Sequence, residues 1–215
     1  LQAIFSTERL KNMLSINLDI LFRSIMLEAI FVSFLLYGGK FGDIKLAANQ
    51  ILLQFLHIAA HGLDGFAFAA ETLVGQAFGR KDRTVLRKSV KVTSKLAFLL
   101  CCTMAIIFFF IGSSLIDVMT TAEDVRSEAK SYILFIVLVP ILGLSAYMLD
   151  GIFVGAMKTK DMRNMMFVSL IFYFLALILF VPHFGNTGLW LALLISFVVR
   201  GVTLALRYPS LEKSI

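Results

Sequence analysis

The chain has 215 residues, of which 59% are hydrophobic and only 16% charged, with a formal net charge of +6. A soluble domain carries about 25% charged and 45–50% apolar residues, so the composition excludes an ordinary soluble enzyme and predicts an all-α, polytopic membrane protein. The cations sit in short segments between long apolar runs, which argues for the lipid bilayer as the surroundings and against nucleic acid as a partner.

A bilayer-crossing helix needs about 20 largely apolar residues, and six stretches meet that need. The first runs over about 13–37 and ends at Gly38-Gly39. Asp19 and Arg23 stand one turn apart near its start and are expected to pair with each other in a structural role. Glu28 lies deeper without a local partner, which makes it a candidate for protonation.

The second span, about 46–78, is longer than a bilayer requires and should tilt, kink or project, with Gly62 and Gly65 as the expected kink points. It carries Gln50, Gln54, His57, His61, Asp64 and Glu71 at steps of three, four and seven residues. At 3.6 residues per turn these fall on one stripe, so one side of this helix should face water or a partner surface. His57 and His61 have the one-turn spacing of metal ligands, but no Glu follows His57 and no third ligand is evident. Hydrogen bonding to a neighbouring helix and the lining of a wet cavity remain open for both. For Asp64 the alternatives are a structural hydrogen bond and coupling to an ion or proton. The segment Gly75-Gln76-Ala77-Phe78-Gly79 lacks the ending of a phosphate loop, and Gly75 and Gly79 are expected to allow close helix packing.

The third span covers about 92–116. Its adjacent Cys101 and Cys102 diverge from a helix and are not expected to bridge. The fourth, about 131–157, is interrupted by Asp150 shortly after Pro140 and Gly143, and a proline there is expected to free backbone carbonyls, a local arrangement used around transport sites. Residues 164–199 hold no Asp, Glu, Lys or Arg and are too many for one span. The turn-forming run Pro182–Gly188 divides them into spans of about 164–182 and 187–206, with Arg200 placed to snorkel to the near interface.

Loop charges predict the orientation. Gly79–Lys95 holds seven Lys and Arg against Asp82 alone, and Lys158, Lys160 and Arg163 oppose only Asp161. The loop after the third span is acidic, with Asp117, Glu123, Asp124 and Glu128 against Arg126 and Lys130. Cytoplasmic loops are the basic ones. Loops two and four therefore face the cytoplasm, and so do both termini, where Arg9, Lys11, Arg207 and Lys213 agree.

Four ordered motifs carry a family resemblance. They are Asn17-x-Asp19-Ile20-x-x-Arg23; Leu63-Asp64-Gly65-Phe66-Ala67-Phe68-Ala69-Ala70-Glu71 with Gly75-Gln76-Ala77-Phe78-Gly79; Leu149-Asp150-Gly151-Ile152-Phe153-Val154-Gly155-Ala156 with Met162-Arg163-Asn164; and Gly185-Asn186-x-x-Leu189-Trp190-Leu191-Ala192. Together they resemble the C-terminal half of the DinF-like branch of the multidrug and toxic compound extrusion (MATE) family, over nearly the whole of residues 1–215. The resemblance implies twelve helices in two lobes around a cavity, with export of drug-like molecules driven by H⁺ or Na⁺ and no other cofactor. This chain would be the second lobe, a piece of a longer protein in the inner (plasma) membrane, and its missing partner would be an N-terminal six-helix lobe. In other branches acidic residues on the first and fourth helices of this lobe form a cation site. Glu28 and Asp150 lie on the corresponding helices, although the residues around them differ from that motif. Asn186 falls in the last motif, with a structural role.

Two functions are therefore expected to compete. One is an antiporter lobe whose Gln54, His57, His61, Asp64 and Glu71 line a transport cavity. The other is a half-transporter that folds but does not transport alone. An integral membrane enzyme would need a clustered nucleophile or metal set, and the sequence offers none.

Overall fold

The computed structural model describes residues 7–215, with side chains from residue 10 onward, so the terminal cation Arg9 lies outside the described side chains. Seven helices follow one another: α1 Thr7–Gly39, α2 Asp43–Arg80, α3 Arg83–Met119, α4 Glu123–Ser131, α5 Ile133–Gly155, α6 Thr159–Phe184 and α7 Asn186–Lys213. All but α4 are long and apolar enough to cross a membrane. Large apolar side chains such as Leu36, Phe110, Ile178 and Leu206 point outward, which suits contact with lipid.

The connections are short because each helix end is closed locally. Lys81 takes a left-handed conformation at φ 54° and returns its N–H to Ala77 and Phe78. Asp82, the single acid in the basic second loop, then caps α3 by accepting from the backbone N–H groups of Thr84 and Val85 at 2.8 and 3.1 Å. Only Gly185 separates α6 from α7, at φ 54° and ψ −128°, a conformation that disfavours a side chain. Gly188 follows on the first turn of α7, where a Cβ would press on the backbone of Phe180.

Two sequence expectations change here, in the third loop and in α5. The acidic third loop contains the short helix α4, its N-terminus marked by Glu123 and Asp124. Lys130 pairs with the Asp117 carboxylate, and Arg126 donates to the carbonyls of Asp117 and of Thr120 just past α3. Pro140 lies within α5, and the helix continues through Asp150 to Gly155 without interruption. α2 runs unbroken past Gly62 and Gly65 over 38 residues; at 1.5 Å per residue that is roughly 57 Å, well beyond a hydrocarbon core of about 30 Å.

α5 is the hub of the bundle, packed against α2, α3 and α7, while α6 and α7 form a hairpin that carries α1 on its outer side. A buried polar knot ties α2 to the start of α7. Asn49 Nδ2 donates to Asn186 Oδ1 at 2.7 Å, and Asn186 Nδ2 returns a bond to Asn49 Oδ1 at 3.1 Å. Trp190 Nε1 also donates to Asn49 Oδ1 at 3.0 Å, with its ring edge-on to Phe34. All three polar residues are buried, so each amide uses the others in place of water. Asn186 is thereby held to α2, with Asn49 as its partner.

Candidate functional site

The site begins with a close helix crossing. Gly151 and Gly155, one turn apart on α5, lie directly against the backbone of Ala67 and Glu71 on α2. Small residues at that spacing let two backbones approach closely, and Gly75 adds to the contact, facing the Gly155 carbonyl. Among the described residues no atom lies within 4 Å of where a Cβ on Gly79 would stand, so Gly79, unlike Gly75, makes no close helix contact there.

The crossing sets Asp150 of α5 beside Asp64 and Glu71 of α2. Arg23 of α1 reaches across to form an ion pair with Asp150 Oδ2. This corrects the expected pairing of Arg23 with Asp19. Asp19 is buried and bonds instead to α6, accepting from Arg163 Nη1 at 2.6 Å and from Thr159 Oγ1 at 3.1 Å. The physical reason is that α1 lies against α6, which offers Asp19 its partners, while the long Arg23 side chain reaches Asp150 on α5.

Arg200 also departs from expectation. Rather than snorkelling, it is 1% exposed, with Nε 3.9 Å from Asp150 Oδ2 and its guanidinium over the rings of Tyr147 and Phe197 at 5.3 and 5.6 Å. Asp150 Oδ1, Arg23 Nε, and Arg200 Nε and Nη2 are buried without a hydrogen-bond partner among the described residues. Two guanidinium groups thus converge on one carboxylate, a net positive cluster inside the membrane-spanning region that Asp64 balances when ionised.

A cleft of about 330 Å³ opens beside this cluster, lined by Arg23, Asp64, Phe68, Glu71, Tyr147 and Asp150 among others. Asp64 and Glu71 are half-buried in it. From there the rest of the stripe continues along α2 as Gln50, Gln54, His57 and His61, all exposed on the bundle's outer face. His61 Nδ1 donates to the His57 carbonyl at 2.6 Å, and the His57 ring stands edge-on to Phe31. Neither histidine has a hydrogen bond to another helix among the described residues, and no three metal-ligating side chains converge among them. Glu28 is exposed on α1 in line with Leu21, Ile25 and Val32, and does not line the cleft with Asp150.

The structure therefore brings Asp64, Glu71 and Asp150 together and leaves Glu28 apart. Sequence reasoning missed Arg200 and Tyr147 as members of the site and gave Arg23 the wrong partner. The available signal was charge balance: Asp150 in mid-span needs a cation, and Arg23 and Arg200 are the basic residues deep within other spans.

Six membrane-length helices thus surround a crossing that holds ionisable side chains beside an open cleft, the architecture of a polytopic membrane protein with a polar site within its spans. The chain belongs to the MatE family, which it matches over residues 20–181. It is 32% identical over 195 residues to DNA damage-inducible protein F of Escherichia coli (strain K12), covering 91% of this chain and 42% of that protein. It is 27% identical to the probable multidrug resistance protein NorM of Xylella fastidiosa (strain 9a5c), covering 93% and 43%. Among solved structures, a MOP superfamily transporter from Pyrococcus furiosus shares the fold with a TM-score of 0.82 at 16% identity, over 92% of this chain and 44% of that one. The Vibrio cholerae MATE transporter VcmN in its bent form gives 0.76 at 18%, over 87% and 43%. The chain thus spans less than half the length of these relatives. Both of these solved structures are of transporters.

Proposed function

We propose that the chain is the C-terminal six-helix lobe, residues 1–215, of an inner-membrane antiporter that exports amphipathic or cationic drug-like molecules in exchange for H⁺ or Na⁺. The observation that carries this reading is the cleft of Asp64, Glu71 and Asp150, open on the same face as the exposed stripe Gln50–His61. Unpaired polar groups in hydrocarbon cost several kcal/mol each, so that face requires water or a second surface. A second lobe supplies both, and rocking of the two lobes gives alternating access. Asp64 and Glu71 are the groups placed to exchange an ion with the cavity, because Asp150 is already engaged by arginine.

In a two-lobe protein carrying this chain, Asp64→Asn is expected to lose most drug efflux at matched expression. Asp19→Asn is expected to keep most of it, since Asp19 fastens α1 to α6 away from the cleft. Equal efflux by Asp64→Asn and the unmodified protein would refute the assignment. The half-length coverage supports a further reading, that this lobe does not transport alone. Ethidium uptake into proteoliposomes of the lone chain, driven by an imposed proton or sodium gradient, is expected to match empty liposomes, and uptake above that level would overturn it.

The positive-inside distribution supports cytoplasmic termini and cytoplasmic loops two and four. A cysteine introduced at Thr121, before α4, is expected to react with an impermeant maleimide added outside, and one at Thr84 is not. The reverse pattern would invert the orientation.

A further inference from the structure

The start of α3 carries Arg87, Lys91 and Lys95 at four-residue steps, hence on one face, with Phe98 a turn deeper. Across from them stands the end of α7. Two cavities of about 420 and 360 Å³ lie here, and both are lined by Val90, Ser94 and Tyr208. They adjoin at these three residues as neighbouring parts of a groove. The first is rimmed by Arg87, Lys91 and Lys95, and the second is walled by apolar side chains of α5 and α7, including Leu144, Met148, Ile152 and Ala205.

We infer that this groove between α3 and α7 binds an anionic phospholipid, with the phosphate held by Lys91 and Lys95 and an acyl chain descending over α5. The charge pattern selects the occupant. Arg87 is paired with Glu212, but Lys91 and Lys95 are exposed and have no ion pair among the described residues. Ser94 and Tyr208 set hydroxyl-bearing side chains at the waist, where a phosphate or glycerol oxygen would pass into the apolar part. Basic pockets between transmembrane helices are the usual seat of anionic headgroups, and each cavity has the size of a ligand cleft, about 300–1,000 Å³. An acidic protein segment would use the rim but leave the apolar floor uncovered. The comparable cleft between α1 and α6 differs in the decisive respect, because its cation, Arg163, is committed to Asp19.

The test is native mass spectrometry of the detergent-solubilised protein titrated with dioleoyl phosphatidylglycerol or dioleoyl phosphatidylcholine, a readout independent of transport. Three variants accompany the parent: Lys91→Gln/Lys95→Gln, Lys158→Gln/Lys160→Gln as a charge-matched control, and Ala205→Phe to fill the floor. The first is expected to weaken phosphatidylglycerol binding about 25-fold, from a factor of about five per lysine at an anionic surface. The control pair should leave it near the parent value, and Ala205→Phe should weaken it with all charges in place. An equal loss in both lysine pairs would mean general surface attraction and overturn the site. So would phosphatidylglycerol binding that Ala205→Phe leaves untouched, or an unchanged affinity in Lys91→Gln/Lys95→Gln.

Discussion

Replacing Gly151 or Gly155 with leucine is expected to leave no monodisperse protein after solubilisation, and even Gly151→Ala should lower stability measurably. The atoms that a new Cβ would meet are backbone atoms of Ala67 and Glu71, which cannot turn aside as a side-chain end could. The α2–α5 crossing must then open, and overpacking of this kind costs about 1–3 kcal/mol per added group. The contrast lies elsewhere on α2. Gly65 and Gly79 have no atom within 4 Å of where a methyl group would stand, so alanine there meets open space. Alanine is favoured over glycine in a helix by about 1 kcal/mol, so Gly65→Ala and Gly79→Ala should be neutral or stabilising. Thermal unfolding followed by size-exclusion chromatography decides the matter. If Gly151→Ala tolerates heat as well as Gly65→Ala does, the close crossing is not what holds α2 to α5.

That contrast shows where sequence reading succeeds and where it stops. The spans were legible because burial in lipid imposes one rule on whole segments, and residues 96–116, 131–149 and 164–199 obey it without a charged side chain. The stripe on α2 was legible because helical spacing alone puts Gln50, Gln54, His57, His61 and Asp64 on one side, and the structure leaves that side open. The pairing of charges was not legible. Asp19 and Arg23 satisfy the one-turn rule as well as any surface pair, yet their partners, Arg163 and Asp150, are more than 120 residues away in the chain. Local spacing says which groups can meet along a helix and nothing about which helix lies alongside. The same limit hid Asn49. It is adjacent to Gln50 in sequence but turned by one helical step into the bundle, where it bonds Asn186 and Trp190. α4 escaped notice because its nine residues are polar, and a helix that short is stabilised by its packing on α2 rather than by its own pattern.

The second large effect concerns Asp150, whose carboxylate is the shared counter-charge of Arg23 and Arg200. Asp150→Asn preserves shape but leaves two guanidinium groups inside the bundle with no anion between them. Removing one partner of a buried ion pair costs about 3–5 kcal/mol, and drug efflux in a two-lobe protein should fall with it, since the cleft wall is built on this pair. Arg200 is the more deeply enclosed of the two cations and has two nitrogens without a hydrogen bond among the described residues. Arg200→Leu alone should therefore cost less than Asp150→Asn, because burying an apolar side chain relieves the desolvation of a charge. The decisive variant is the double. Asp150→Asn with Arg200→Leu is expected to be more stable than Asp150→Asn alone, with a coupling of about 1–3 kcal/mol in the thermal unfolding cycle, as for residues in one network. Strictly additive losses would mean that Asp150 and Arg200 do not share an electrostatic environment. The cleft would then rest on the Arg23–Asp150 pair alone, and the counter-charge role argued for Asp64 would lose its basis.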